Sequence, residues 1–410
     1  MPQSPQFELS SLGLAKEPAF AVQTSPTTYV SAQDVDFHGT TEVLARGAAR
    51  GNVSRELGAT GAYTGVGSAT IELDPDIAQS ILAMSLGAES VSPNATVQTA
   101  GAAVTTTSVA GVGYLGSQDI TPVAMTGITA GMLLRLDAGG QKQEDVRVES
   151  ITATTFHAAP KRTHAPNFTI VQTPLSLAYD HLFTIGSPRP TATFQWNRKQ
   201  DCVAFIGNKI SSLQISGAPK QILLAKIATQ YSTEQQITVP GTPSFSTVNP
   251  FRFEDAGNTA IVNGQSRADI LSYNLSLNTG LIGSEQVFGH GRFTGSSPEG
   301  LSMVSGDAMM QFENEDMQQY FWGAKASTSP QSTVQPISFS FFWQGQDYIN
   351  AAVRYGITFT MPACIITSNP TPGRAGGLLQ QNVKFEAYQS VPGAMDDLSV
   401  ILTNANSAIY

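Results

Sequence analysis

Two stretches of this chain share one outline, and that repetition constrains the fold more than any other feature. "GSATIELDPDIAQSILAMSLGA" runs from Gly67 to Ala88, and "GDAMMQFENEDMQQYFWGA" runs from Gly306 to Ala324. Each opens on a small-residue turn and passes through a short apolar alternation: Ala69, Ile71 and Leu73 in one, Ala308, Met310 and Phe312 in the other. Each then turns acidic, at Asp74 and Asp76 or at Glu313, Glu315 and Asp316, and enters a helical stretch that stops at Gly-Ala. Acidic residues ahead of an apolar-periodic run suit a helix N-terminus, where they face unpaired N–H groups and the positive end of the dipole. Gly87 and Gly323 fall where a helix C-cap needs positive φ. The pattern strand, acidic turn, short helix, glycine stop is therefore expected twice.

The flanking segments extend the repeat. Downstream lie "TATFQWNRKQDCVAFIGNKISSLQISGAPKQILLAKIATQYS" (Thr191 to Ser232) and "ISFSFFWQGQDYINAAVRYGITFTMPACIITSNPTPGRAGGLLQQNVKFEAYQS" (Ile337 to Ser390). Each begins with an aromatic strand closed by a tryptophan, Trp196 or Trp343, read here as equivalent positions that anchor a core. Each continues through a polar turn carrying Asp201 or Asp347, a second strand, a Gly/Pro loop and a long closing strand. Upstream, "ADILSYNLSLNTG" places Ile270, Ser272, Asn274 and Ser276 on one face and Leu271, Tyr273, Leu275 and Leu277 on the other, which predicts a half-buried strand. A β-rich module with one short helix is written twice.

The copies differ in the interval after the helix. The second has only "KASTSPQSTVQP", whereas the first runs from Glu89 to about Pro188 before its Trp strand. Within that interval "GMLLRLDAGGQKQEDVRVESITATTFHAA" predicts a three-stranded meander, with Leu133, Arg135 and Asp137 alternating against Met132, Leu134 and Leu136. Insertions are tolerated at exposed loop tips, so a small β-domain grafted onto the outer side of the first module is expected. The Thr/Ala/Gly-rich "TVQTAGAAVTTTSVAGVGYLGSQ" before it reads as a linker or a weakly patterned strand pair. The division is residues 1–90 with 181–235 for module 1, 91–180 for the insertion and 236–410 for module 2.

Composition narrows the function. Charged residues are 13% of 410, about half the usual share. Such depletion suits extended β proteins whose surfaces neighbours cover, and equally an ordinary secreted β protein. A net charge of −9 argues against a nucleic-acid reader, which needs a Lys/Arg field facing phosphate. The densest basic spot, "APKRTHAP" (Ala158 to Pro166), reads as a solvated loop. The N-terminus lacks the basic and apolar regions of a signal peptide, and no apolar run is long enough to span a bilayer. Cys202 and Cys364 read as buried free thiols.

No motif asks for chemistry. "GVGYLG" (Gly111, Gly113, Gly116) formally fits a dinucleotide fingerprint, but "SQDITPVAMTG" follows instead of a helix. His38, His157, His164, His181 and His290 are scattered without metal-ligand spacing, and His157 and His164 read as surface residues flanking a loop. Asp74 and Asp76 are better explained as helix-start acids than as a catalytic pair. The sequons at Asn52, Asn94, Asn167 and Asn274 are what a Ser/Thr-rich chain contains by chance. No catalytic, cofactor-binding or metal-binding residue is assigned, and no cofactor is expected.

The order of these segments resembles the tail tube proteins of long-tailed (siphovirus-like) bacteriophages, in the group with two fused modules. The resemblance rests on "LAKEPAF" to "SPTTYV", "GSATIELDPDIAQSILAMSLGA", "CVAFIGNKISSLQISGAP", "FRFEDAGNTAIVNGQSRADILSYNLSLNTGL", "GDAMMQFENEDMQQYFWGA" and "GGLLQQNVKFEAYQS", most of the chain outside the insertion. It implies a mainly β fold: two tandem β-sandwich or partial-barrel modules, each with one short helix and one sheet lining a channel. It also implies homotrimeric rings with pseudo-sixfold symmetry, stacked into a hollow tube within the virion tail after synthesis in the host cytoplasm. Its implied partners are other copies of the chain, a tape measure protein, tail-end proteins, and double-stranded DNA passing through the lumen without specific binding; no membrane is involved. An acidic lumen keeps phosphate from adhering, and Asp34, Asp36, Glu254 and Asp255 are the candidates to face it. Two alternatives stand beside this: a virion surface or fibre protein whose inserted domain binds a host glycan or receptor, and a β-fold hydrolase with dispersed carboxylates.

Overall fold

The computed structural model describes residues 10–44, 58–94, 104–113, 116–172, 178–255, 257–283, 291–293, 295, 297–350, 353–370 and 379–410. His290, Asn52 and most of the second Gly/Pro loop lie outside these. The first half begins with β1 (Ser11–Lys16), β2 (Thr28–Val30), β3 (Ala32–Leu44), β4 (Ala59–Glu72), α1 (Pro75–Leu86) and β5 (Gly87–Pro93). Short strands follow: β6 (Thr105–Thr107), β7 (Gln118–Ile120), β8 (Leu133–Leu136), β9 (Glu144–Arg147), β10 (Ser150–Ile151), β11 (Phe156–Ala158) and β12 (Thr169–Gln172). The half closes with β13 (Tyr179–Ile185), β14 (Ala192–Asn197), β15 (Cys202–Gly217), β16 (Leu224–Tyr231) and β17 (Thr233–Gln236). The second half has β18 (Thr259–Val262), β19 (Gln265–Arg267), β20 (Ile270–Asn278), β21 (Met303–Gln311) and α2 (Asp316–Trp322). It ends with β22 (Ile337–Tyr348), β23 (Arg354–Ser368), β24 (Gln380–Tyr388) and β25 (Ser399–Asn404). The fold is mainly β, as expected.

One set of antiparallel pairings occurs twice. In the first half β3 pairs β4, β4 pairs β16, and β16 pairs β15, which also pairs β14 and β17; β14 then pairs β1, and β1 pairs β2. In the second half β20, β21, β24, β23, β22, β25, β18 and β19 make the same connections in the same order. Three of the irregularities coincide as well. Register shifts between Ala32 and Asp34, Ile210 and Ser212, and Ala192 and Phe194 recur between Ile270 and Ser272, Ile366 and Ser368, and Ile337 and Phe339. A bulge fixes where a strand bends and where pairing resumes, so three shared bulges fix the correspondence residue by residue. One sequence reading needs correction. Ala192 and Ile337 are partners of Asn208 and Cys364, which makes Trp196 equivalent to Phe341; Trp343 stands two positions further on.

The helices form for the reasons read from sequence, with unequal caps. Asp74 accepts hydrogen bonds from the Asp76 and Ile77 amides, both at 2.9 Å, and Pro75 occupies the first turn. Burial pushes the Asp74 carboxyl up to about 7 against the pull of those amides. Glu315 makes no side-chain cap, and Asn314 supplies the acceptor to the Asp316 amide at 3.0 Å. Gly87 and Gly323 both take positive φ, 94° and 145°. On β20, Tyr273, Leu275 and Leu277 are buried, as the alternation required. The main core joins the inner faces of both halves with α1. Cys202 and Cys364 are buried free thiols within it or at its edge.

The segment between β5 and β13 has its own small core, including Ile120, Leu134, Leu136, Val146, Phe156 and Ile170. β5 and β13 pair along Gly87–Pro93 and Tyr179–Ile185, so the two ends of the excursion lie side by side. The predicted meander is not a single sheet. β8 and β9 join β6 and β12, while β10 and β11 leave to pair with β7: the Val148 amide still donates to the Met132 carbonyl, but the next amide, of Glu149, donates to the His157 carbonyl. His164 is buried rather than on the surface: its Nε2 lies 2.6 Å from Glu144 Oε1. The basic loop is likewise engaged, with the Lys161 and Arg162 amides donating to Glu144 and Lys161 Nζ 2.6 Å from Asp347. The excursion starts in the first half, yet this ion pair is with the second.

Candidate assembly surface

β15 joins the halves. Its last six residues pair with β20, Ser212 opposite Asn278 through Gly217 opposite Tyr273. The result is one continuous run of strands, β3-β4-β16-β15-β20-β21-β24-β23. Its inner face is apolar and its outer face polar. One row across that outer face reads Asp34, Thr70, Lys226, Gln214, Ser276, Ser305, Glu386, Ile365. The neighbouring row reads Glu72, Leu224, Ser216, Asn274, Asp307, Lys384, Ser368. Hydroxyls and amides dominate. Asp34, Asp36, Glu72, Asp307 and Glu386 outnumber Lys226 and Lys384, so the face is neutral in most places and weakly acidic in sum. Such a surface binds water well and phosphate poorly.

The run has an open side. Among the described residues β3 pairs only with β4, which leaves its other edge unpartnered along exposed Asp34, Asp36 and His38. Native proteins seldom leave so long an edge without a partner or a blocking device. At the far end, Ser368 of β23 pairs with Lys384, but nothing among the described residues plays for it the part that β20 plays for Ser212.

Two buried polar clusters lock the arrangement. Arg189 donates to the Ser85 carbonyl at 2.7 Å, the Thr279 carbonyl at 3.0 Å, Ser302 Oγ at 2.6 Å and Glu299 Oε2 at 3.3 Å. Lys209 Nζ reaches the other Glu299 oxygen at 2.7 Å. Burial works to raise the Glu299 carboxyl, but Lys209 and the Arg189 amide outweigh it and hold it below its usual range. The second cluster holds the C-terminal segment. His181 lies 2.7 Å from Glu89 and 2.8 Å from the Asn406 carbonyl, while Glu89 also accepts from Gln79 and from the Tyr410 amide. Burial alone lowers the His181 pKa; these partners reverse that and raise it.

Four acidic residues were singled out from the sequence, and they do not lie together. Asp34 and Asp36 stand on the polar face. Glu254 and Asp255 do not: they sit in the loop before β18, where Glu254 accepts from the Lys220 amide and Asp255 accepts from Gln346 at 2.9 Å. Arg189, Lys209, Glu299, His181 and Glu89 were missed. Their partners lie tens to hundreds of residues away, so no local spacing announces them. A cleft of about 710 Å³ is lined by Lys16, Glu89, Arg189, Lys209 and Tyr410, among others. Its charged groups are already engaged: Lys16 donates to the Tyr410 carbonyl, Glu17 accepts from Thr193 and the Gly207 amide, Glu89 faces His181, and Arg189 and Lys209 hold Glu299. Among the described residues no three His, Cys, Asp or Glu side chains gather as metal ligands, and no helix is long and apolar enough to cross a membrane.

Residues 8–387 match the model of a family described as phage tail tube protein. No curated protein matches the chain.

Proposed function

Because this chain belongs to the phage tail tube protein family, a family of virion tail subunits that assemble into a tube, we propose that three copies close into a ring of six modules. The rings stack into a hollow shaft through which viral DNA leaves the particle. The observation that carries this reading is the doubled pairing pattern together with the open β3 edge. Within one chain β15 of the first half already pairs with β20 of the second. β3 is the counterpart of β20, and β23 that of β15. The same joint, repeated between copies, sets Ser368 of one chain opposite Thr40 of the next, as Ser212 stands opposite Asn278. A closed ring leaves no sheet edge exposed.

In this assembly module 1 comprises residues 1–90 and 181–235, module 2 residues 236–410, and residues 91–180 project as an inserted domain. The polar outer face of the strand run lines the lumen, and Asp34 and Asp36 face the passing duplex. A surface of hydroxyls and amides with a slight carboxylate excess offers DNA no cationic foothold. Its role is structural, without bond chemistry. Stacking is head to tail, a heterologous contact that extends indefinitely, ended by tape measure and tail-end proteins. Electron microscopy of the purified chain tests the proposal: annular particles and tubes are expected, and discrete monomers at every concentration would overturn it.

A further inference from the structure

The residue-by-residue correspondence between the halves allows the joint inside a chain to be compared with the joint between chains. Inside a chain, Arg189 and Lys209 of the first half grip Glu299, which pairs with Leu281 at the stem of the β20–β21 hairpin. Each of these positions has a defined counterpart. The Gly186 amide donates to the Leu86 carbonyl and the Gln331 amide donates to the Trp322 carbonyl, both at 2.7 Å, so Arg189 corresponds to Val334. Lys209 is opposite Gln230 and Ile365 opposite Glu386, which makes those two equivalent. Glu299 corresponds to Thr60, which pairs with Val43 on the β3–β4 hairpin. The remaining Arg189 partners, Ser85, Thr279 and Ser302, correspond to Phe321, Thr41 and Tyr63.

Every charged member of the cluster is thus replaced by a neutral residue. Of the replacements, Val334 is 37% exposed, Thr60 is exposed and Ile365 is half-buried, and beside Thr60 its pairing partner Val43 is 68% exposed. Leu281, the counterpart of Val43, is by contrast partly covered by its contacts within the chain. Buried charge clusters fix geometry at a desolvation cost, whereas apolar contacts associate readily and reversibly.

Resting on the ring reading above, we propose that the ring has two chemically different joints. One is ionic and lies within each chain. The other is neutral and lies between chains, where Val334 and Ile365 of one copy cover Val43 and Thr60 of the next. The partner is a second copy of this chain. The ionic joint forms once, during folding. The neutral joint is the one that must form from free subunits.

Transplanting the charge pair tests this. Ile365→Lys alone is expected to raise the concentration needed for ring or tube formation by about tenfold or more, since the cation is then desolvated in the joint with no carboxylate on the neighbouring copy to meet it, its one facing acid, Glu386, being the cross-strand neighbour in its own chain. Adding Thr60→Glu is expected to bring that concentration back to within about threefold of the unmodified chain. Assembly is read by sedimentation and electron microscopy, and melting of the dilute subunits checks that each variant folds. A double variant that assembles no better than Ile365→Lys overturns the proposed contact, provided the unmodified chain still forms rings. Failure of the unmodified chain to form rings overturns the ring reading instead.

Discussion

Gly67 on β4 and Gly306 on β21 occupy the same place in the two halves, and each leaves room for an aromatic ring that arrives from a different strand. A Cβ on Gly67 falls 2.3 Å from Phe37 of β3, and one on Gly306 falls 2.5 Å from Phe385 of β24. The correspondence equates Phe37 with Leu275 and Thr229 with Phe385, so the large residue has moved across the glycine while the hole it fills has stayed. Gly67→Ala and Gly306→Ala are each expected to destabilise by about 1–3 kcal/mol through overpacking, measured as denaturant midpoints. Reducing Phe37 to Leu beside Gly67→Ala should recover part of the loss, as Leu275 suggests.

The Arg189–Glu299–Lys209 cluster makes a second prediction. Glu299→Ala leaves a guanidinium and an ammonium buried without their counter-charge, and a loss of about 3–5 kcal/mol is expected. Replacing Arg189, Lys209 and Glu299 together by Met, Met and Leu should cost far less, since no charge is then left uncompensated. Chemical denaturation of the subunit in dilute solution measures both. Equal losses for the single and triple variants would contradict the account.

How much of this was legible beforehand follows from the range of each signal. The acidic turn at Asp74, the glycine stops at Gly87 and Gly323 and the alternation from Tyr273 to Leu277 are local, and sequence revealed them. The doubled order of elements was also legible, because Gly/Pro turns punctuate both halves alike. Two tryptophans suggested an equivalence that is off by two residues, since similar aromatic strands carry little information on register; the bulges at Ala192 and Ile337 decide it. His164 looked exposed because nothing nearby in sequence marks Glu144 as its partner. The polar face needed the pairings of eight strands, and the Arg189 and His181 clusters needed contacts across the whole chain.

His181 makes stability depend on pH. Its folded pKa lies above the unfolded value of about 6.5, so its contribution is complete below about pH 6.5 and is lost as pH rises through the folded value. The groups facing it are Glu89, the Asn406 carbonyl and the Asn404 side chain. Stability of the C-terminal segment on β5 and β13 should therefore decline above neutrality. Hydrogen exchange at the Asn406 and Ala408 amides measures it, and His181→Gln should flatten the dependence.

The excursion between β5 and β13 should be separable from assembly. The Asn94 amide donates to the Ala178 carbonyl at 2.8 Å, so the two strands already approach hairpin distance there. Replacing residues 95–177 with a short Asn-Gly turn is expected to leave ring formation intact. If the inserted domain serves host recognition, particles bearing the shortened subunit should adsorb less well while keeping normal tails. Loss of assembly would instead place the domain in the shaft itself.

The most direct measurement of the central claim is the symmetry of one ring by electron cryomicroscopy. The account predicts three chains, six similar wedges around an open channel, and a continuous sheet crossing each boundary with β3 beside the end of β23. A ring of any other number of chains, or a boundary where β3 keeps its outer edge unpaired, would contradict it.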